Sequence, residues 1–295
     1  MSSKMKYVYR INLNPSNFLL VSHVYLYVIR SYRMSLPIVI SNRLIKFVGV
    51  IVKALSYVFH FLFPKKRFTI PKQSDPLRPS ILPSRVPKII WQTNYTNEVS
   101  LPVYVNYLFN RLISPDHEYR YVSTEERLSF IKEHAPQRVS SAFEQLTDGA
   151  AQADLWRVFV LNYYGGVYMD IDAHAVWPIS KMIDPDAKEL FLLTKKHYSN
   201  YFIASQKDNP ILSRAIDIMV DNIEQKRIEH GVYALTGPIV LNTAIGDEKV
   251  NSRLYRITCN QGSFTNEYFQ YIDKPRGKWI HADRKTLLKD NKDTK

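Results

Sequence analysis

The sequence predicts an α/β domain with a mostly parallel central sheet, preceded by an amphipathic, hydrophobic helical segment. From residue 88 onward, short strand-like segments alternate with helix-like segments, an order that places helices against a sheet of parallel strands. An apolar helix over residues 149–163 ends at Gly165 and Gly166 and leads directly into a short apolar strand. The first 63 residues are apolar and basic, so they are expected to form a separate segment.

Local signals define the other elements of the predicted domain. Ser123 or Thr124 is expected to cap a helix that has acidic residues in its first turn. Asn209 is expected to cap a second helix, with Pro210 at its first position. Further strands are predicted at Lys88–Gln92, Glu118–Val122, Glu189–Thr194 and Tyr201–Ser205.

Four regions follow from the composition along the chain. Residues 1–63 are predicted to associate with a membrane, and residues 64–86 form a Pro-rich linker. Residues 87–283 form the globular domain, and residues 284–295 form a polar tail. Met34 is a second candidate start, in which case residues 1–33 are a misassigned extension.

The net charge of +13 is concentrated at the N-terminus. Residues 1–74 contain twelve of the 40 basic residues and no acid, since the first carboxylate is Asp75. A nucleic-acid binder carries its basic surface on the folded domain, so this distribution argues against nucleic acid and for an anionic membrane surface. A single cysteine, Cys259, excludes a disulfide within the chain.

Residues 44–63 form the apolar segment with the clearest membrane signal. Their polar residues Lys46, Lys53 and His60 are spaced seven apart and share one stripe of a helix. This spacing favours an amphipathic helix lying in the membrane interface. A spanning helix and an ordinary packed helix are the alternatives; in a spanning helix, Lys53 would sit near the centre at a cost of roughly 3 kcal/mol.

The segment GGVYMDIDAH, residues 165–174, ends an apolar strand with two carboxylates. Residues two apart in a strand point to the same face, so Tyr168, Asp170 and Asp172 are expected together, with apolar residues on the opposite face. Two like charges in this arrangement suit a hard cation, and Mg²⁺ or Mn²⁺ commonly bridges carboxylates to phosphates. The pattern therefore predicts a cation site that binds a diphosphate. A solvated turn is the alternative interpretation of two such aspartates alone.

Two further side chains are candidates for binding a ligand beside that strand. Asp154 and Arg157 are three apart and share a helix face, where a guanidinium beside a carboxylate suits the vicinal hydroxyls of a sugar. A structural ion pair is the alternative. Trp91 ends the first strand of the domain, and a core tryptophan is the alternative to a ligand contact.

The segment AAQADLWRVFVLNYYGGVYMDIDAHAVWPI resembles the sugar-binding DXD region of glycosyltransferase family 32. The strand PKIIWQT at residues 87–93, the TGP triplet at residues 236–238 and His281 are also similar to that family. The resemblance implies a GT-A fold, a UDP- or GDP-sugar donor, a Mn²⁺ or Mg²⁺ ion and retention of anomeric configuration. The Ser-Trp pair that usually follows the family's late histidine is absent here.

The resemblance also implies roles for individual residues. Asp170 is expected to contact the donor's ribose and the metal, and Asp172 to be the direct metal ligand. Asp154 and Arg157 would hold the sugar hydroxyls. The remaining implied sites are Trp91 at the base, Tyr168 at the diphosphate or sugar, Asn200 and Gly237 in the pocket lining, and His281 as a metal or phosphate ligand.

The expected function is therefore a metal-dependent retaining glycosyltransferase that moves a hexose or N-acetylhexosamine to a glycan or lipid-linked acceptor. The resemblance implies a role in capsule or lipopolysaccharide synthesis, and the basic N-terminus favours the cytoplasmic face of a bacterial inner membrane. A Golgi type II enzyme is the alternative location. Alternative functions are a protein-modifying, toxin-like transferase, a non-catalytic membrane scaffold, and an Asp-x-Asp phosphatase, which His174 in the fifth position disfavours.

Overall fold

The computed structural model describes residues 36–289, and the predictions for residues 1–35 and 290–295 lie outside this range. Its strands, numbered along the chain, are β1 (Phe68–Thr69), β2 (Gln73–Ser74), β3 (Ile89–Thr93), β4 (Glu98–Val99), β5 (Glu118–Val122), β6 (Gly166–Met169), β7 (Ala173–Ala175), β8 (Glu189–Leu193), β9 (Tyr198–Ser205), β10 (Ser252–Leu254) and β11 (Cys259–Gln261). Its α-helices are α1 (Leu36–Leu62), α2 (Leu101–Ile113), α3 (Thr124–His134), α4 (Gln137–Gln145), α5 (Gly149–Tyr164), α6 (Ile179–Met182), α7 (Pro210–Glu224), α8 (Val232–Leu235), α9 (Pro238–Ile245) and α10 (Glu267–Gln270).

Seven strands form the central sheet, in the order β10-β8-β9-β6-β3-β5-β2. Strand β3 pairs in parallel with both β5 and β6, and β8 pairs in parallel with β10. Strand β9 is antiparallel to its neighbours β6 and β8, and the edge strand β2 is antiparallel to β5. Five of the seven strands therefore run in one direction, and the predicted α/β class with a mostly parallel sheet is confirmed.

Two hydrophobic cores cover the two faces of this sheet. Successive residues of a strand point to opposite faces, and Ile90 and Trp91 of β3 accordingly belong to different cores. The core that contains Trp91 is built from α4, α5, α7 and α9, and the core that contains Ile90 includes α2 and α6. The domain thus has three layers, with the sheet between two helical layers.

Helix α5 and strand β6 form the unit that the local signals predicted best. The helix begins at Asp148, whose Oδ1 accepts hydrogen bonds from the backbone N–H groups of Ala150 and Ala151 at 2.9 and 3.0 Å. It ends at Gly165, which has a φ of 73°. Gly166 has a φ of 111° and starts β6 at once. The two glycines therefore turn the chain from helix to strand without a loop.

The Pro-rich segment between residues 64 and 86 packs against the domain at two points. Phe68–Thr69 pair with Glu98–Val99, and Gln73–Ser74 pair with β5 at the edge of the central sheet. Ile70, between these two short strands, is completely buried. Edge strands tolerate neighbouring prolines because one side of the strand makes no ladder hydrogen bonds.

Helix α1 lies against the domain along one face. Asn42 Nδ2 donates to the carbonyl of Arg256 at 2.7 Å, and the backbone N–H of Leu101 donates to His60 Nε2 at 3.1 Å. Gly49 lies so close to Ser263 that an added Cβ would overlap the Ser263 carbonyl. Within residues 36–289, α1 is the single helix that is long and apolar enough to cross a membrane by those two criteria alone.

Candidate active site

A cavity of about 450 Å³ lies beyond the ends of β3 and β6, beside α5 and the start of β9. Such crevices at the ends of the strands are where open α/β sheets bind ligands. Seven of the nine predicted site residues line it: Asp154, Arg157, Tyr168, Asp170, Asp172, Asn200 and Gly237. Trp91 and His281 are not part of its lining.

Asp170 and Asp172 lie in a turn that follows strand β6, rather than in the strand itself. The strand ends at Met169, and the backbone N–H of Ala173 donates to the carbonyl of Asp170 at 2.8 Å, which closes the turn. Tyr168 nevertheless shares a face with the first carboxylate, because its hydroxyl donates to Asp170 Oδ1 at 2.8 Å. The turn brings both carboxylates to the cavity wall.

One amide group contacts both carboxylates. Gln261 Nε2 donates to Asp170 Oδ2 at 2.9 Å and to Asp172 Oδ1 at 3.2 Å. Burial and the neighbouring Asp170 raise the pKa of Asp172 to about 6, while hydrogen bonds from Gln270 and Gln261 act in the opposite direction. The pair is therefore a site where negative charge is costly unless a donor or a cation is present.

Arg157 connects the two acidic parts of the cavity. Its Nη2 lies 3.1 Å from Asp154 Oδ1 and its Nη1 lies 3.2 Å from Asp170 Oδ1. Its guanidinium also lies over the ring of Tyr168, 4.4 Å from the centroid. Burial opposes the charge, but the neighbouring Tyr168, Asp170 and Asp154 together raise the pKa of Arg157. Arg157 is therefore a fixed cation shared by two carboxylates.

Asp154 is almost completely buried and accepts two further hydrogen bonds. Asn200 Nδ2 donates to its Oδ1 at 2.9 Å, and Thr236 Oγ1 donates to its Oδ2 at 3.2 Å. Burial raises the pKa of Asp154 to about 7, although Arg157 acts to lower it. Thr236 directly precedes Gly237, whose missing side chain is required because a Cβ would lie 2.8 Å from the carbonyl of Tyr233.

Trp91 lies in the core beneath the cavity. It is 4% exposed, and its Nε1 donates to the carbonyl of Gly165 at 3.0 Å. Its ring meets Trp156 edge to face, and the Arg120 guanidinium lies 5.0 Å from the centroid of the Trp91 ring. These contacts correspond to the core interpretation of this residue, and the end of the same strand, at Thr93, lines the cavity instead.

His281 lies outside the cavity lining, on the exposed C-terminal segment. Its Nε2 lies 2.6 Å from Glu267 Oε1, and this hydrogen bond lowers the pKa of Glu267. The described structure therefore pairs His281 with a surface carboxylate.

Several lining residues were not predicted from the sequence. Arg127 is 2% exposed, and its Nη1 and Nη2 donate to Thr93 Oγ1 and Thr124 Oγ1 at 2.7 and 3.0 Å. Burial lowers the pKa of Arg127 to about 10. No local pattern marks this residue, because its neighbours resemble any first turn of an exposed helix. A further part of the lining comes from a C-terminal segment: Gln261, Gln270, Tyr271, Lys274, Gly277, Lys278 and Ile280.

The side chains around Asp170 and Asp172 fit a hard divalent cation bound together with a phosphate ligand. Within residues 36–289, no group of three or more His, Cys, Asp or Glu side chains could hold a metal. Mg²⁺ sites of the nucleotide type need one or two carboxylates and leave the other positions to water and phosphate oxygens. Two carboxylates with neighbouring amide groups meet that requirement, whereas a closed zinc-type site is excluded for this cluster.

Residues 102–189, which carry α5, β6 and both aspartates, match the family model for the glycosyltransferase sugar-binding region containing DXD motif. This part of the chain therefore matches the sugar-binding region of DXD glycosyltransferases. The chain is 33% identical over 123 residues to a toxin of Photorhabdus asymbiotica and 35% identical over 92 residues to a mannosyl phosphorylinositol ceramide synthase of Saccharomyces cerevisiae. The matches cover 37% and 30% of the chain, but only 4% and 23% of those relatives.

Among solved structures, the PaToxG glycosyltransferase aligns over 70% of this chain and 79% of its own, with a TM-score of 0.45 and 18% identity. The resemblance predicted from the sequence is confirmed by the family match over residues 102–189.

Proposed function

We propose that this enzyme is a metal-dependent, retaining glycosyltransferase that takes a hexose or N-acetylhexosamine from a UDP- or GDP-sugar. The observation that carries the proposal is the position of Arg157 between Asp154 and Asp170. This arrangement links a group suited to sugar hydroxyls with a group suited to a cation and a diphosphate. A nucleotide-sugar carries both sugar hydroxyls and a diphosphate within one molecule.

Each side chain of the cavity has a role that its chemistry supports. Asp170 and Asp172 would hold Mn²⁺ or Mg²⁺. The ion, when bound, stabilises the charge that develops on the departing diphosphate. Asp154 accepts hydrogen bonds from sugar hydroxyls and Arg157 donates to them, and Tyr168 orients Asp170 through its hydroxyl. Arg127, which lines the cavity, adds positive charge at the end of β3.

The experiment measures donor binding and donor turnover for the wild type and a matched pair of variants. Calorimetric titration with UDP- and GDP-sugars, with and without Mn²⁺, identifies the base and shows whether binding requires the metal. Asp172→Ala is expected to abolish metal-linked donor binding and donor hydrolysis. Asp247→Ala, at an exposed position outside the cavity, is the control and is expected to behave as the wild type. Full turnover by Asp172→Ala would contradict the proposal.

We propose further that α1 holds the enzyme on an anionic membrane surface. The face of α1 away from the domain exposes large apolar side chains, including Phe47 at 66%, Leu55 at 62% and Phe61 at 84%. The contacts of Asn42 and His60 hold α1 against the domain near both of its ends. A helix crossing the bilayer would lose these contacts, so an orientation within the interface is favoured over a spanning one.

This membrane proposal is tested by vesicle flotation of the full chain. Phe47→Glu combined with Phe61→Glu is expected to release the protein from vesicles that contain phosphatidylglycerol. Leu112→Glu changes an apolar side chain on α2 that is 70% exposed, and it is expected to leave binding unchanged. Equal release by both proteins, or by neither, would contradict a specific role for α1. The proposed location is the cytoplasmic face of a bacterial inner membrane, with a Golgi type II location as the alternative.

The acceptor is proposed to be a lipid-linked glycan or glycolipid of the kind used in capsule or lipopolysaccharide synthesis. The membrane-facing surface of α1 favours a lipid acceptor, and the yeast relative is a mannosyl phosphorylinositol ceramide synthase. A protein acceptor is the second candidate, because toxins are also among the relatives. Transfer of a radiolabelled sugar into chloroform-extractable lipid supports the first, and transfer into precipitable protein supports the second. Failure to bind any donor would favour a non-catalytic scaffold.

A further inference from the structure

Gln261 occupies the position between the two carboxylates that a bound cation would need. Its single Nε2 atom donates to Asp170 Oδ2 and to Asp172 Oδ1, at 2.9 and 3.2 Å. An amide NH₂ group has two N–H donors, so one can serve each carboxylate. The side chain therefore bridges the aspartates and offsets part of the repulsion between them.

A cation cannot bind between these carboxylates while the amide nitrogen remains there. The nitrogen is a donor and coordinates no metal, whereas the carbonyl oxygen of the same amide is a suitable hard ligand. Gln261 is exposed, so its amide can turn without disturbing the core. Gln270, the other amide near Asp172, is 9% exposed and has less freedom to move.

The backbone around Gln261 is fixed, in contrast to its side chain. Strand β11 pairs with β7, which places Gln261 opposite Ala173, and the N–H of Gly262 donates to the carbonyl of Asp172 at 3.0 Å. On the other side, Lys53 Nζ of α1 donates to the carbonyl of Gly262 at 2.9 Å. The Cα of Gln261 is thus held at a constant place beside the carboxylates, and rotation is confined to its side chain.

We propose that Gln261 is an additional ligand of the cation site. Its amide nitrogen bridges Asp170 and Asp172 when no cation is present, and its carbonyl oxygen turns toward the cation when one binds. The proposal rests on the metal-dependent function above and adds a side chain to it. Within residues 36–289 no third carboxylate, histidine or cysteine joins the two aspartates. The amide oxygen of Gln261 would therefore be a third ligand from a side chain, beside the two carboxylates.

The test measures Mn²⁺ affinity of the purified full chain by electron paramagnetic resonance of free Mn²⁺, without donor or acceptor. Gln261→Ala is expected to weaken binding by about tenfold, the lower end of the effect of losing a supporting group at a metal site. Gln261→Glu is expected to tighten binding, because it places a third carboxylate at the site. Gln137→Ala, at an exposed position outside the cavity, is the control and is expected to leave affinity unchanged.

Each outcome of this experiment decides the proposal. Affinity of Gln261→Ala equal to or greater than that of the wild type would overturn it, because the amide would then be a bystander or an obstacle. Unchanged or weaker binding by Gln261→Glu would also overturn it, and this variant preserves the size of the side chain if Gln261→Ala folds poorly. If the wild type binds Mn²⁺ and Asp172→Ala does not, the metal-dependent function survives whatever the Gln261 variants show. If the wild type binds no Mn²⁺ without donor, the Gln261 proposal falls, and the donor titration with and without Mn²⁺ then decides the metal-dependent function separately.

Discussion

Replacement of Arg157 by methionine removes the cation that two buried or half-buried carboxylates share. The substitution keeps an unbranched stem of similar volume, two atoms shorter than arginine, but leaves Asp154 and Asp170 without their common partner. It also removes the hydrogen bond from Nη1 to the carbonyl of Asn200 at 2.8 Å. The perturbation is therefore electrostatic, with little change in packing volume.

The expected cost follows from the burial of this network. Breaking a buried ion pair by removing one partner typically costs about 3–5 kcal/mol. Asp154 can escape part of this cost by taking up a proton, since its pKa already lies at about 7. We therefore expect a loss of about 3 kcal/mol in the free energy of unfolding near pH 7. For a domain of this size, that corresponds to a decrease in Tm of roughly 6–12 °C.

The stability of the Arg157→Met variant is expected to depend on pH through Asp154. Without Arg157, the pKa of Asp154 rises further above its value in the unfolded chain, so the folded state binds more protons than the unfolded state. Stability then falls as the pH rises from about 4 through the raised pKa. The Arg157→Met variant is expected to lose more Tm, relative to the wild type, at pH 8 than at pH 5.5.

Thermal unfolding followed by circular dichroism at both pH values measures these effects. Arg138→Met is the matched control, because Arg138 is half-exposed and pairs with Asp221 and Glu224 on the surface. Exposed pairs contribute about 0–1 kcal/mol, so its Tm is expected to change little. A Tm loss for Arg157→Met no larger than that of Arg138→Met, or one that is larger at pH 5.5 than at pH 8, would refute the reasoning.

Three further predictions concern the proposed metal site, the contact of α1 with the domain at Gly49, and the second buried arginine, Arg127. Because the pKa of Asp172 is about 6, Mn²⁺ affinity is expected to fall about tenfold per pH unit below that value, and a flat profile between pH 5 and 6 would contradict this. Gly49→Ala is expected to destabilise the protein by about 1–3 kcal/mol in thermal unfolding, whereas Gly149→Ala, with open space around its Cβ, is expected to be neutral or stabilising. Arg127→Met is expected to cost less stability than Arg157→Met, because the hydroxyls that Arg127 contacts carry no charge; an equal or larger loss of Tm would show that its charge is compensated in another way.

The helix α5 and the strand after it were predictable because their signals are local. An Asp cap, an apolar helix and two glycines determine where the helix begins and ends, and the three-residue spacing determines that Asp154 and Arg157 share a face. Alternation in a short strand likewise placed Tyr168 beside Asp170. The carboxylates themselves lie in a turn. This turn could not be predicted, because the backbone hydrogen bond that closes it is not visible in a two-residue pattern.

The C-terminal part of the cavity lining was not predictable, because its position depends on pairing between distant segments. Gln261 reaches Asp170 from 91 residues along the chain, through the pairing of β11 with β7. Strand alternation could place Trp91 on one face of β3 but could not decide whether that face is the core or the cavity. The structure assigns that face to the core, and the residues beyond the strand end, Thr93 and Asn94, to the cavity.

Helix α1 combines a composition typical of a membrane segment with contacts to the folded domain. Its composition predicts a segment that could be removed from the protein, whereas its contacts make it part of the support for the turn that carries the two aspartates. Lys53 donates to the carbonyl of Gly262, and the N–H of Gly262 donates to the carbonyl of Asp172. Two hydrogen bonds therefore connect α1 to the second aspartate. If α1 holds the protein on a membrane as proposed, deletion of residues 1–63 is expected to release it and also to loosen the site. Substitution of the outer apolar face separates these two effects, because it leaves the Lys53 contact in place.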